Sequence, residues 1–124
     1  MAESADSPPL WRRTVGAIQP CLEQWLDREW GEVSYRMTQV LTGHGCFGEY
    51  LCWIKKKCTA RCHHCNGNVD SAQHTLAECP AWAGRCRALT HAVGADLSLP
   101  AVVVVMVGSE EAWRAFASFC EEVI

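Results

Sequence analysis

The sequence has no apolar run long enough to cross a membrane: its longest, Leu99 to Val107, is about half of what a spanning helix needs. No secretory leader is expected either, because residues 1–9 are small, acidic and proline-bearing, with no apolar stretch. Basic residues are in the minority, with Lys+Arg 11 against Asp+Glu 14 and a net charge of −3, which excludes a histone-like polycation. No internal repeat is visible. What remains is a chain of 124 residues, 49% hydrophobic and 20% charged, close to the globular average and long enough for one domain with a modest core.

Two features depart from that average. The charge is unevenly spread: residues 1–54 carry four basic and seven acidic groups, residues 55–87 six and two, and residues 88–124 one and five. A polyanion, if one is held, is expected at the cationic middle. The second feature is nine cysteines, an odd number in a chain without a leader. That argues against a disulfide framework and for the reducing interior of a cell, where cysteine means metal or core filling.

Periodicity predicts a mainly α protein. Residues 1–10 are expected to be an unstructured tail, and Trp11-Arg12-Arg13 to open the ordered part. Ile18, Cys21, Leu22, Trp25 and Leu26 predict an amphipathic helix over 17–30, with Pro20 near its first turn and Gly31 as its stop. A second helix is expected from Ser34, as N-cap, to Leu41, followed by a sharp turn at Gly43-His44-Gly45. Phe47, Tyr50, Leu51 and Ile54 give a third helical face that ends in Lys55-Lys56-Lys57. These elements make a helical segment over 11–57. Residues 81–124 make another, with Trp82, Cys86, Leu89 and Val93 on one helix and Trp113, Phe116, Ala117, Cys120 and Val123 on the last, capped by Ser109. Leu99 to Val107 reads as a strand by its β-branched content or as a short buried helix by its flanking Pro100 and Gly108.

Between these segments, residues 58–80 hold few large apolar residues and the most specific spacing in the chain, Cys62-x2-Cys65-x8-His74-x4-Cys79. Two thiolates on a tight turn, with a His and a Cys arriving from a following short helix, complete a tetrahedron around Zn²⁺. Asn66-Gly67-Asn68 supplies the turn back towards the ion, and Asp70 with Gln73 is expected to cap the helix. A mixed Cys and His set of four favours zinc over an iron–sulfur cluster. The bland reading is that all nine cysteines are small hydrophobes. His63 and His64, inside the first turn, are alternative ligands in a cramped position. Cys21, Cys46, Cys52, Cys86 and Cys120 are expected to pack in or near the core, and Cys58 is left open.

The stretch from Arg36 to Leu51, with its Thr38-Gln39-Val40-Leu41-Thr42-Gly43-His44-Gly45 core, followed by Cys62-x2-Cys65, His74 and Glu78-Cys79-Pro80, resembles the C-terminal region of arthropod non-LTR (LINE-type) retrotransposon polyproteins, most closely the clade inserting into ribosomal RNA genes. The resemblance covers roughly residues 11–124 and places the family's zinc ligands on Cys62, Cys65, His74 and Cys79. It implies a module that holds element RNA or target DNA beside an upstream polymerase domain, in a nuclear or ribonucleoprotein setting. The aromatic-Ala-Asp-Asp turn of the polymerase is missing, and there is no room for the endonuclease, so no catalytic activity is expected in this chain.

Lys55, Lys56, Lys57 and Arg61 before the cysteines, and Arg85 and Arg87 after them, are the candidate phosphate contacts. His63, His64, Trp53 and Trp82 are available for stacking on unpaired bases of RNA or single-stranded DNA. Against this stand a module that packs on protein and never touches nucleic acid, and a retroelement remnant without function. No membrane association is expected.

Overall fold

The computed structural model describes residues 11–124 apart from residues 57, 63, 66 and 68. The expected tail over 1–10, Lys57 and His63 therefore lie outside the described residues. Seven α-helices carry the fold: α1 Trp11–Ile18, α2 Leu22–Asp27, α3 Tyr35–Thr42, α4 Gly48–Trp53, α5 Ala83–Val93, α6 Leu99–Met106 and α7 Glu110–Val123. Among the described residues there is no strand, so the mainly α expectation holds.

The single helix expected over 17–30 is instead two. Pro20 sits in a 3₁₀ turn, Gln19–Cys21, between α1 and α2. A proline lacks the N–H for the preceding turn's carbonyl and its ring collides with that turn, so the helix starts earlier, at Trp11, and is interrupted there. The second half ends at Asp27, four residues short of Gly31, and leaves Leu26 70% exposed.

Other ends follow their sequence signals. Ser34 caps α3 by accepting from the Met37 N–H at 3.1 Å, and Ser109 caps α7 by accepting from Ala112 at 3.2 Å. The turn after α3 needs glycine at position 45, where φ is +95° and a Cβ would sit 2.1 Å from the Gln39 Oε1. That oxygen accepts from the Cys46 N–H at 3.0 Å, which accounts for a buried glutamine in an otherwise apolar helix face.

The β-branched run from Leu99 resolves as helix α6. Valine costs roughly 0.5 kcal/mol in a helix, whereas burying an aliphatic side chain returns about 1.5–3 kcal/mol. Leu99, Val102, Val103 and Met106 are all buried, because α6 lies among α1, α5 and α7. Pro100, in the first turn, has no N–H that the helix requires.

The core joins both helical segments into one body: α1 packs on α6 and α3, and α7 packs on α3, α5 and α6. Trp113, 1% exposed, is its largest fully buried side chain. Its indole Nε1 donates to the Glu32 carbonyl at 3.0 Å, its ring lies 5.1 Å from that of Trp25 and 6.0 Å from that of Trp30, and the Arg28 guanidinium sits 3.9 Å over it.

Candidate metal centre

Cys62, Cys65, His74 and Cys79 are brought together, with their ligand atoms all within 4.8 Å of one another, the one such cluster among the described residues. Cys62 and Cys79 are buried, and Cys65 and His74 half-buried. A tetrahedral ion with the usual zinc bond lengths requires about 3.8 Å between two sulfurs and about 3.6 Å between a sulfur and a nitrogen. The Cys62 and Cys79 Sγ atoms are 3.9 Å apart, and the Cys65 Sγ is 3.3 Å from the His74 Nε2. The donor set therefore fits a closed four-coordinate site.

Local backbone geometry explains how four residues spread over 62–79 converge. Cys62 donates its N–H to the Gly67 carbonyl at 2.9 Å, which folds the first turn back on itself. Gly67 then passes beside the cluster so closely that a Cβ would lie 3.2 Å from the Cys65 Sγ and 3.3 Å from the His74 Cε1. The other pair rides a π-helical turn, His74–Glu78, closed by the Cys79 N–H on the His74 carbonyl at 2.7 Å. In an α-helix, residues five apart point about 140° away from each other. The wider turn returns Cys79 to the side of His74, so the x4 spacing is satisfied only by this local widening.

The charge balance points the same way. Burial pushes the Cys79 thiol up to about 12, with the neighbouring Cys65 and Cys62 thiols adding to the effect. A pocket that resists a lone thiolate becomes favourable to one when a divalent cation shares it. On its far side, the His74 Nδ1 lies 4.0 Å from the exposed Glu78 carboxylate, too far for a hydrogen bond but close enough for an electrostatic contact with the imidazole.

Two supports differ from expectation. Asp70 does not cap the turn that carries His74; the Ser71 hydroxyl does, accepting from the His74 N–H at 3.0 Å. Asp70 is buried and turned to α4, where its carboxylate accepts from Gly48 at 3.0 Å and its carbonyl from Glu49 at 2.7 Å. Gln73 likewise looks away, donating to the Leu97 carbonyl at 2.9 Å and accepting from Arg13 at 2.9 Å. A capping box needs both side chains on their own helix start; here tertiary partners claim them. Burial pushes the Arg13 guanidinium down to about 10, and its Nε and Nη2 also donate to the Val40 carbonyl, tying α1 to α3 and to the π turn.

Cys86 packs against the core, in line with the sequence, and also backs the site. Half-buried on α5, its thiol reaches the Leu76 carbonyl at 3.1 Å, inside the widened turn. Cys21 and Cys120 are buried as expected, Cys52 is half-buried, and Cys46 is exposed beside Gly45, as is Cys58. Nothing in the spacing marks Ser71 as the cap of this turn or Cys86 as its backing, so sequence reasoning misses both roles.

Of the candidate nucleic-acid contacts, Lys55 and Lys56 follow α4, and Arg61 precedes Cys62; all three are exposed. His64 is exposed and packs its ring 5.1 Å from Trp82, away from the ligand set. Arg85 and Arg87 are exposed on α5, and Arg85 is paired with Glu122 at 2.6 Å. Among the described residues no helix is long and apolar enough to cross a membrane.

Comparison with known proteins finds similarity to the retrovirus-related Pol polyprotein from type-1 retrotransposable element R1 4 of Nasonia vitripennis, 33% identical over 91 residues. The match takes in 73% of this chain and 23% of that polyprotein. No protein-family profile and no solved structure matches the chain.

Proposed function

We propose, from the premise that this chain is related to a segment of a non-LTR retrotransposon polyprotein, that it is a zinc-stabilised module that holds RNA or single-stranded DNA. The observation that carries the metal part is the convergence of Cys62, Cys65, His74 and Cys79 within 4.8 Å. Zn²⁺ suits three sulfurs and one imidazole, and four protein ligands leave no open position for a reactive water, so its role is structural and the chain is not an enzyme. When bound, the ion supplies charge to hold the buried thiolates; the chain's residues supply the surface. The exposed cations Lys55, Lys56, Arg61 and Arg87 flank the site and would meet phosphates, with Lys57 next to them in sequence. The upstream polymerase portion of a polyprotein is the natural partner, in the nucleus or a ribonucleoprotein particle.

Metal analysis of the purified chain is expected to give one zinc, lost in Cys65→Ser. Full zinc content in that variant overturns the ligand set. Affinity for a single strand is expected to fall steeply with salt, and alanine at Lys55, Lys56 and Lys57 to flatten that dependence. An unchanged slope favours a second reading, a protein-packing module, for which the exposed Val15, Leu22 and Leu26 on α1 and α2 speak.

A further inference from the structure

Three aromatic rings outside the metal centre are successive neighbours on α4 and the turn before it, with Tyr50, half-buried, between His44 and Trp53. Tyr50 and Trp53, three residues apart on one helical face, have ring centroids 6.4 Å apart. His44, exposed at the tip of the Gly43–Gly45 turn, places its ring 4.5 Å from that of Tyr50. Trp53 is 49% exposed and Ile54 next to it 38%, so with the Tyr50 ring they make a contiguous apolar patch rather than one scattered residue, and such patches mark binding surfaces.

The charges around the molecule say what covers it. Arg36, Arg85 and Arg114 are each paired with a glutamate. Lys55 and Lys56, which follow Trp53 after the exposed Ile54, make no ion pair among the described residues, as is also true of Arg61 and Arg87. The chain reverses there, with Lys55 at φ +67° and the Lys56 N–H donating back to the Leu51 carbonyl at 2.8 Å, so the backbone of both exposed lysines stays at the C-terminal end of α4, beside the turn that carries Trp53. Rings followed by free cations suit a ligand with flat apolar faces on an anionic backbone.

We infer that His44, Tyr50 and Trp53 form a stacking platform for the unpaired bases of a single-stranded nucleic acid, whose phosphates run onto Lys55 and Lys56. This rests on the nucleic-acid reading above and adds His44 and Tyr50 to it. A duplex keeps its base faces stacked inside and offers the row nothing. The platform reads neither the sugar nor the base identity, so RNA and DNA strands bind alike.

The test uses the whole metal-loaded chain and fluorescence anisotropy with labelled oligouridylate, oligothymidylate and a DNA duplex, over a range of salt. Trp53→Ala and His44→Ala each weaken strand binding, by about tenfold for Trp53, with the salt slope unchanged, because stacking releases no counterions. Trp53→Phe restores most of the loss. Lys55→Ala with Lys56→Ala weakens binding and flattens the slope. Metal content and helical circular dichroism equal to the parent chain certify each variant's fold. If the lysine variant weakens binding while Trp53→Ala binds like the parent, the platform is wrong and the nucleic-acid reading stands. Duplex bound as tightly as strand also removes the platform. If neither strand binds, both readings fall.

Discussion

The helical body and the segment that carries the metal ligands are held by different forces. The body buries Phe116, Trp113, Val102, Val103 and Met106 among helices that cross one another, so its stability is spread over many apolar contacts. Residues 58–79 contribute to that core chiefly Ala72 and Leu76. The rest of the segment is shaped by a few backbone bonds, such as Asp70 to Ala60 at 2.6 Å and Cys62 to Gly67 at 2.9 Å, and by four ligand atoms at one point. A distributed core tolerates the loss of one contact, whereas a point closure depends on every ligand.

Removing the proposed zinc is expected to have the largest effect. Structural zinc contributes on the order of 10 kcal/mol, so a chelator should abolish hydrogen-exchange protection at the Cys62 and Asp70 amides. The far-UV signal of the longer helices should survive. A body that melts together with the segment would erase the distinction between the two regions. Next, Phe116→Ala should lower global stability by about 3–5 kcal/mol in urea unfolding while zinc content stays unchanged; loss of zinc there would show that the centre has no independence.

Asp70 is one of the places where the regions meet, alongside Gln73 and Leu76. Asp70→Ala leaves the Gly48 N–H without its acceptor, at a cost of about 1–3 kcal/mol, and should loosen α4 in exchange experiments more than α7. Equal loosening of both would sink Asp70's role as a joint. The smallest effect belongs to Glu78→Gln. Weakening the carboxylate beside His74 should reduce zinc affinity by about tenfold in competition with a chelating dye, at unchanged stoichiometry. Unaltered affinity would limit the centre to its four ligands.

Elements set by local chemistry are readable from residues alone. Ser34 and Ser109 cap α3 and α7 because each needs only an amide three residues on. The ligand spacing is legible for the same reason, since metal geometry constrains a short stretch of chain. What escapes is decided by distant partners. Leu99–Val107 is ambiguous until α1, α5 and α7 surround it, and Asp70 has the right spacing for a cap but is claimed by Gly48, far away in sequence. The π turn is invisible because it exists to reconcile His74 and Cys79 with one point in space. Pro20 was readable and misplaced: its signal marks a break as much as a beginning.

The contrast between Trp113 and Trp53 makes the chain its own optical instrument. Trp113 is sealed from water and crowded by Trp25, Trp30 and Arg28, whereas Trp53 stands half in solvent at the end of α4. The first should emit at short wavelength, with its yield altered by its neighbours, and shift to the red only when the helical body opens. The second should emit at long wavelength from the start and be quenched from outside by iodide. Four further tryptophans, Trp11, Trp25, Trp30 and Trp82, emit as well, so each signal is read as the difference between the parent chain and its Trp53→Phe or Trp113→Phe variant, and those two differences follow the surface and the interior without a label.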